Sequence, residues 1–314
     1  MRQTIGLDIG GTKIAALRVA EDGRVQARHV VPTPADDTLG ILSSAVGAAE
    51  AVRTSDVIAI GAGVPGMVDH RTGVLRYAPN LAARELRVCE RLAEVTQLPC
   101  TVDNDANVAA WGEFLFGAGR GSNHMLMITV GTGIGGGIVA GGQLFRGSHG
   151  FAGEIGHVIV DPDGPVCGCG NKGCWEQLAS GRAIDRLGRE AVDQHPESLL
   201  AELAGGDRTK VTGTVVTEAG RRGDDVARGI LVSVGRQLGH GIAGLVNVLD
   251  PDVVVIGGGV VLAGDMLVGP ATVAFCESVE AFSHRAAVPI LSAQLGSDAG
   301  AIGAAAMALE ECGP

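Results

Sequence analysis

Two stretches of this chain repeat one pattern, and that repeat constrains the fold more than any other feature. TIGLDIGGTKIAALRVAEDGRV (residues 4–25) and MLMITVGTGIGGGIVAGGQLFRG (125–147) each carry an apolar strand into a Gly/Thr turn and out along a second apolar strand. Aligned at their turns, Asp8-Ile9-Gly10 stands opposite Thr129-Val130-Gly131. A pattern used twice in this way predicts two halves, each opening with a hairpin. Val57–Gly63 and Pro99–Asp103 read as further strands, Ala106–Phe116 as a helix, and PDVVVIGGGVV (251–261) as a buried strand delivered into three glycines. The Ala-rich run Ala299–Glu311 reads as a closing helix. No Pro/Ser linker parts the halves. The expected division is a small α/β domain over residues 1–112 and a large one over 113–298 that carries the cysteine cluster. The last helix, about 299–314, is expected to cross back to the first domain.

Composition excludes several classes. With 314 residues the chain is long enough for two packed domains, and 46% hydrophobic content rules out intrinsic disorder. Only 3% aromatics against 50 glycines fits Val/Ile-rich buried strands joined by tight turns. A net charge of −11, with no basic run longer than a pair, argues against a nucleic-acid partner. The longest apolar stretch, near Val253–Leu262, is too short and glycine-rich to span a bilayer, so no membrane partner is expected. No charged leader precedes the first strand, and a cytoplasmic protein is expected. Of seven cysteines, Cys89, Cys100, Cys276 and Cys312 are scattered singly, which argues against a disulfide framework.

Glycine turns at strand ends expose backbone N–H groups and let an anion approach where a Cβ would block it. None of the three here is GxxxxGK[ST] or a GxGxxG opening a helix, so neither the P-loop nor the dinucleotide fingerprint applies. Any one alone is ordinary hairpin chemistry. Two matched turns and a third glycine cluster together point to a nucleotide, its phosphates held from both sides. Asp8, at the end of the first strand, is placed to hold Mg2+ through water.

LDIGGTK, TVGTGIGGG and VVVIGGG resemble the phosphate-1, phosphate-2 and adenosine motifs of the sugar kinase/actin/Hsp70 superfamily. Ile128–His157, with GxGxG, a later RG and GEIGH, resembles the signature of the ROK family, bacterial sugar kinases and transcriptional repressors. With CGCGNKGCWE (167–176) the resemblance spans nearly the whole chain, and it is nearest to bacterial, particularly actinobacterial, glucokinases. It implies an α/β, two-domain actin-like ATPase/RNase H-like fold with a ligand cleft between the domains. It implies that Asp8, Gly10, Gly11, Thr12 and Lys13, then Gly131, Thr132, Gly133 and Gly135, bind the phosphates of ATP with Mg2+. Gly257, Gly258 and Gly259 would lie beside the adenosine. Gly66, Asn80, Asn104, Asp105, Glu154, His157 and Glu176 would bind the sugar.

In TVDNDANVAAWGEF a strand gives way to a helix at Asn104-Asp105. Asp105 as an N-cap would contribute about 1 kcal/mol to that helix. The family pattern makes it the catalytic aspartate instead, a carboxylate able to accept the proton of an attacking hydroxyl. Asp103, two positions back on an extended chain, points elsewhere and serves as a control. A hexose presents a ring of hydroxyls, and buried polar groups discriminate it by being left unpaired with the wrong sugar. Asn80 follows Pro79 and competes as a plain turn residue, whereas Glu154 and His157 sit one helical turn apart with no core role.

Cys167, Cys169 and Cys174 in a CxCx4C array favour a metal over a disulfide, because three thiols leave one unpaired. A fourth ligand from His149 or His157 would close a Zn2+ site, and the family pattern picks His157. A closed four-ligand site has no position for water and reads as structural. His195 reads as a solvated helix end and His240 as a satisfied core histidine. The expected activity is ATP-dependent phosphorylation of glucose to glucose 6-phosphate by a homodimer or homotetramer. Alternatives are a kinase for N-acetylmannosamine, N-acetylglucosamine, fructose or allose, or a polyphosphate-dependent glucokinase. A sugar-sensing ROK repressor is disfavoured, since its helix-turn-helix would precede the first phosphate motif and only seven residues precede Asp8.

Overall fold

The computed structural model describes residues 2–78, 81 and 83–313. β1 (Gln3–Ile9) and β2 (Lys13–Ala20) form the first hairpin, antiparallel, with Ile9 opposite Ile14. The Gly10 N–H closes its turn by donating to the Lys13 carbonyl at 3.0 Å. Thr33 Oγ1 braces the same turn, donating to the Gly10 carbonyl at 2.7 Å. β3 (Val25–Pro32) pairs with β2; after α1 (Thr38–Val52), β4 (Val57–Val64) lies parallel to β1 on its other side. A small sheet of β5 (Met67–Asp69), β6 (Val74–Tyr77) and β7 (Arg84–Arg87) follows. α2 (Val88–Thr96) then leads to β8 (Cys100–Asn104), parallel to β4, and α3 (Asp105–Phe116).

The second repeat supplies β9 (Met125–Val130), β10 (Ile134–Ala140) and β11 (Gln143–Leu144). Past the cysteines run α4 (Glu176–Ala179), α5 (Gly181–Gln194), α6 (Leu199–Leu203), α7 (Gly213–Arg221) and α8 (Asp225–Leu249). The chain ends with β12 (Val253–Gly257), α9 (Asp265–Ser278), β13 (Ile290–Ser292) and α10 (Ala299–Cys312). The two large sheets have orders β3-β2-β1-β4-β8 and β11-β10-β9-β12-β13. They match strand for strand, down to the parallel β4–β8 and β12–β13 pairs. The sequence repeat is thus a repeat of topology.

The chain divides into two compact units, Met1–Met127 with Gly136–Gly153 and Ala293–Pro314, and Ile128–Gly135 with Glu154–Ser292. The first unit runs past the residue-112 limit drawn from sequence, because α3 packs against α10. A Cβ on Gly303 would collide with the Val108 carbonyl, and one on Gly6 with the Ala301 carbonyl, so α10 lies directly on α3 and β1. Ile5, Leu7, Ile41, Ile60, Leu75 and Leu92 form the apolar core of this unit, each almost fully buried and each contributing about 1.5–3 kcal/mol.

In the second unit α8 buries a stripe of Ile230, Leu231, Val234, Leu238, Ile242 and Val246. His240, expected in the core, is exposed. It sits two residues from both Leu238 and Ile242, about 200° round the helix from the stripe. His195 is exposed at the end of α5, as expected. Among the described residues no helix is long and apolar enough to cross a membrane.

Candidate functional site

The first unit gathers carboxylates where strands of its sheet end. Asn104 closes β8 and caps α3, its Oδ1 accepting the N–H groups of Ala106 (2.9 Å) and Asn107 (3.2 Å). Asp105 therefore opens the helix as its first residue and is spared the capping role. Burial pushes its carboxyl above the usual aspartate range, opposed by the Ala106 N–H, which Oδ1 accepts at 2.9 Å. The free Nδ2 of Asn104 donates to the Gly66 carbonyl at 3.1 Å, which brings these two sequence-chosen residues together. Gly66 has φ +104°, and a Cβ there would strike the Tyr77 carbonyl, so no other residue fits. Asn80 lies outside the described residues.

Asp8, at the end of β1, has its carboxyl raised to about 6, first by burial and next by the negative charge of Asp105. Lys13 opposes the rise and Asp298, at the start of α10, adds to it. α10 approaches Asp8 through Gly300, where a Cβ would lie 3.3 Å from the Asp8 Cγ. Gly10, Gly11 and Thr12 make the turn beside Asp8, and Thr33 N–H donates to the Thr12 carbonyl at 3.1 Å. A carboxylate this reluctant to ionise is relieved by a nearby cation, the chemistry a hydrated Mg2+ brings.

In the second unit the turn after β9 is tied down through its carbonyls. Gly131 C=O accepts the Gly181 N–H at 2.9 Å and Thr132 C=O the Arg182 N–H at 3.3 Å, both from the start of α5. Gly133 faces the Glu176 carboxylate, with a hypothetical Cβ 2.5 Å from Oε2, while Gly135 continues into β10. Gly257 ends β12, Gly258 has φ +91° against the Val130 carbonyl, and Gly259 opens a short 3-10 turn. Both the second turn and the third glycine cluster thus meet the end of β9.

The cysteine segment builds a four-donor cluster in this unit. The ligand atoms of His157, Cys167, Cys169 and Cys174 all lie within 4.8 Å of one another. Cys169 and Cys174 Sγ are 3.5 Å apart, and Cys167 Sγ is 3.7 Å from His157 Nδ1. Tetrahedral Zn2+ with bonds of about 2.3 Å to sulfur has sulfur–sulfur edges of about 3.8 Å, so the donor set fits that ion. His149 is not part of the cluster. Burial, then shared hydrogen bonds with its neighbours, pushes the Cys174 thiol up to about 12, while backbone N–H donation from Asn171 lowers Cys169.

The knuckle is fixed to α8 by Trp175, whose Nε1 donates to the Gln237 carbonyl at 2.9 Å and whose ring fills the space left by Gly241. That anchoring buries Glu176, the next residue, to 8% exposure. Its Oε1 accepts from Cys167 Sγ (3.2 Å) and Gln177 Nε2 (3.2 Å), so Glu176 links the cysteines to the Gly133 turn. His157 closes a 3-10 turn that Glu154 opens, its Nε2 3.9 Å from Glu154 Oε2 and its Nδ1 toward the cysteines.

Two residues escaped sequence reasoning. Glu113, fully buried in α3, accepts the N–H groups of Ala118, Gln294 and Leu295 and so fixes the loop that leads to Asp298. Arg146, visible only as the basic residue of the RG pair, reaches the buried Asp103 at 2.5 Å. Asp103, expected to point away from Asp105, is 1% exposed, with both carboxylate oxygens engaged.

A duplicated sheet of this order with glycine turns at matching strand ends is the actin-like ATPase fold. The chain belongs to the ROK family, whose family model matches residues 4–311. It is 40% identical over 313 residues to the glucokinase of Streptomyces coelicolor, covering 99% of this chain and 98% of that one. It is 36% identical to an N-acetylmannosamine kinase of Escherichia coli, covering 98% of this chain and 99% of the relative. A solved ROK glucokinase from Streptomyces griseus, in complex with glucose and AMPPNP, superposes with a TM-score of 0.88 at 41% identity, covering 98% and 99% of the two chains.

Proposed function

We propose that this chain is a glucokinase that transfers the γ-phosphoryl group of ATP to the 6-hydroxyl of glucose, with Asp105 as general base. The observation that carries the mechanism is the division of labour at β8–α3. Asn104 caps the helix, and Asp105 is left with a carboxylate whose proton affinity is raised by its surroundings, suited to accept the hydroxyl proton. Full-length similarity to glucokinases supports the substrate pair. Asp8 holds the Mg2+ that accompanies ATP. The turns at Gly10–Lys13 and Gly131–Gly135 receive the phosphates, and Gly257–Gly259 the adenosine.

Gly66, Asn80, Asn104, Glu154, His157 and Glu176 are the residues assigned to the sugar. The His157, Cys167, Cys169 and Cys174 donors hold a structural Zn2+ that fixes the His157 ring and the knuckle. With Cys167 as a thiolate, no S–H competes for Glu176 Oε1, which leaves that oxygen to accept from a sugar hydroxyl. Reduced thiols and ATP coexist in the cytoplasm, where the reaction belongs. The chain acts as a homodimer or homotetramer; Val158, Ile159 and Val160, exposed by 49%, 51% and 43%, are apolar surface that an assembly would cover.

The E. coli relative supports a second reading, the same transfer to N-acetylmannosamine. A coupled assay with ATP and Mg2+ across hexoses and N-acetylhexosamines separates the two. Glucose is expected to give the highest kcat/KM. An N-acetylhexosamine in first place would replace the substrate, and no turnover with any sugar would remove the kinase activity altogether.

A further inference from the structure

Asp103 uses both carboxylate oxygens, and each contact bears on the turn that carries Asp105. Oδ1 accepts the backbone N–H of Asn104 at 2.7 Å and the Nδ2 of Asn107 at 2.8 Å, so it grips the chain on both sides of Asp105. Oδ2 takes Arg146 Nε at 2.5 Å. Arg146 is 20% exposed at its side chain, and its Nη2 continues to Glu311 Oε1 at 3.1 Å on α10. Glu311 Oε2 in turn accepts the Thr101 hydroxyl at 2.6 Å, back on β8. The loop that carries Arg146 is held in shape by its own carbonyl, which accepts the Ala152 N–H at 3.1 Å. That loop runs on through Gly153 into Glu154.

We propose that Asp103 and Arg146 are positioning residues for the base: the carboxylate sets the first turn of α3, and the guanidinium fastens that turn to the 146–152 loop and to α10. A planar guanidinium offers Asp103 and Glu311 N–H donors on separate nitrogens held at a fixed spacing, which the single nitrogen of an ammonium does not. The link rests on the assignment of Asp105 as base, and the two can fail separately.

The test compares Arg146→Met, Arg146→Lys, Asp103→Asn and the Asp103→Asn/Arg146→Met double variant with the unaltered chain. It reads kcat and KM for glucose, together with the folded fraction and thermal midpoint. A misplacement of the base predicts a kcat loss of roughly 100-fold in Arg146→Met with KM for glucose little changed. Arg146→Lys should recover part of that loss. The double variant should be no slower than the worse single variant, because both act through one link. Wild-type kcat per folded molecule in Arg146→Met, even with a lowered midpoint, would reduce the pair to a fold staple. Losses that multiply in the double variant would overturn the shared link. If the unaltered chain phosphorylates no sugar, the base assignment falls before any variant is read.

Discussion

The two large sheets share one strand order and differ in what they carry where their strands end. The first places acids where its strands end: Asp8 on β1, and Asp103 and Asp105 around the end of β8. At the matching places the second has Thr129 on β9 and Ser292 at the end of β13, with glycines at 131, 133 and 257–259. One backbone plan can therefore either carry charge or make room for it, and the turn residues decide which. The charged version has a stability cost. Asp8 is driven to about 6 from 3.8, so the folded state holds a proton that the unfolded chain has released. Stability from this group is fully present below about pH 4 and is lost as pH rises through about 6, up to about 3 kcal/mol.

That contrast can be broken at several points. Asp8→Asn should lower kcat by roughly 100-fold or more, through weaker Mg2+ binding. The same change should stabilise the ligand-free protein above pH 6 by up to about 3 kcal/mol and flatten its stability between pH 4 and 6. Chemical denaturation at several pH values checks this; a destabilised variant at pH 7 would mean that the carboxylate is paired. In the second half, Cys169→Ser should abolish metal binding at the proposed site and weaken glucose binding about tenfold, read by metal analysis and calorimetry together. Metal lost with glucose affinity unchanged would make the knuckle a staple of the fold alone.

Two glycine substitutions sharpen the comparison further. Gly258→Ala forces a Cβ onto the Val130 carbonyl at φ +91°, so the thermal midpoint should fall by the equivalent of about 1–3 kcal/mol. Gly131→Ala meets no atom within 4 Å and needs no unusual backbone, so stability should stay within about 0.5 kcal/mol. A rise in KM for ATP without a change in stability would then report a phosphate approaching that backbone, and an unchanged KM would remove Gly131 from the phosphate turn.

The repeat, its turns, the CxCx4C cluster and the closing helix were legible because each rests on local spacing. The four-donor cluster needed only one partner from outside the segment, His157, ten residues before Cys167. What sequence missed depends on phase or on distance. In GRQLGHGIAG, Arg236 lies four residues before His240 on the same face of α8 and marks it as the outer one, a signal outweighed by the small and apolar residues on either side of His240. At Asn104-Asp105 either side chain can cap a helix, and only the backbone shows that Asn104 does. Asp103 and Arg146 are 43 positions apart, a separation that carries no periodic signal. The Ala-rich α10 gave no hint that its small residues let it lie directly on β1 and α3.

The most direct measurement is phosphoryl transfer from ATP to glucose by the unaltered chain and by Asp105→Asn, with glucose binding measured on both. If the acids of the first half do the chemistry, the unaltered chain turns over. The variant then loses roughly 10²–10⁴-fold in kcat while binding glucose nearly as well. A loss of less than tenfold would contradict Asp105 as the base and leave it a positioning role only.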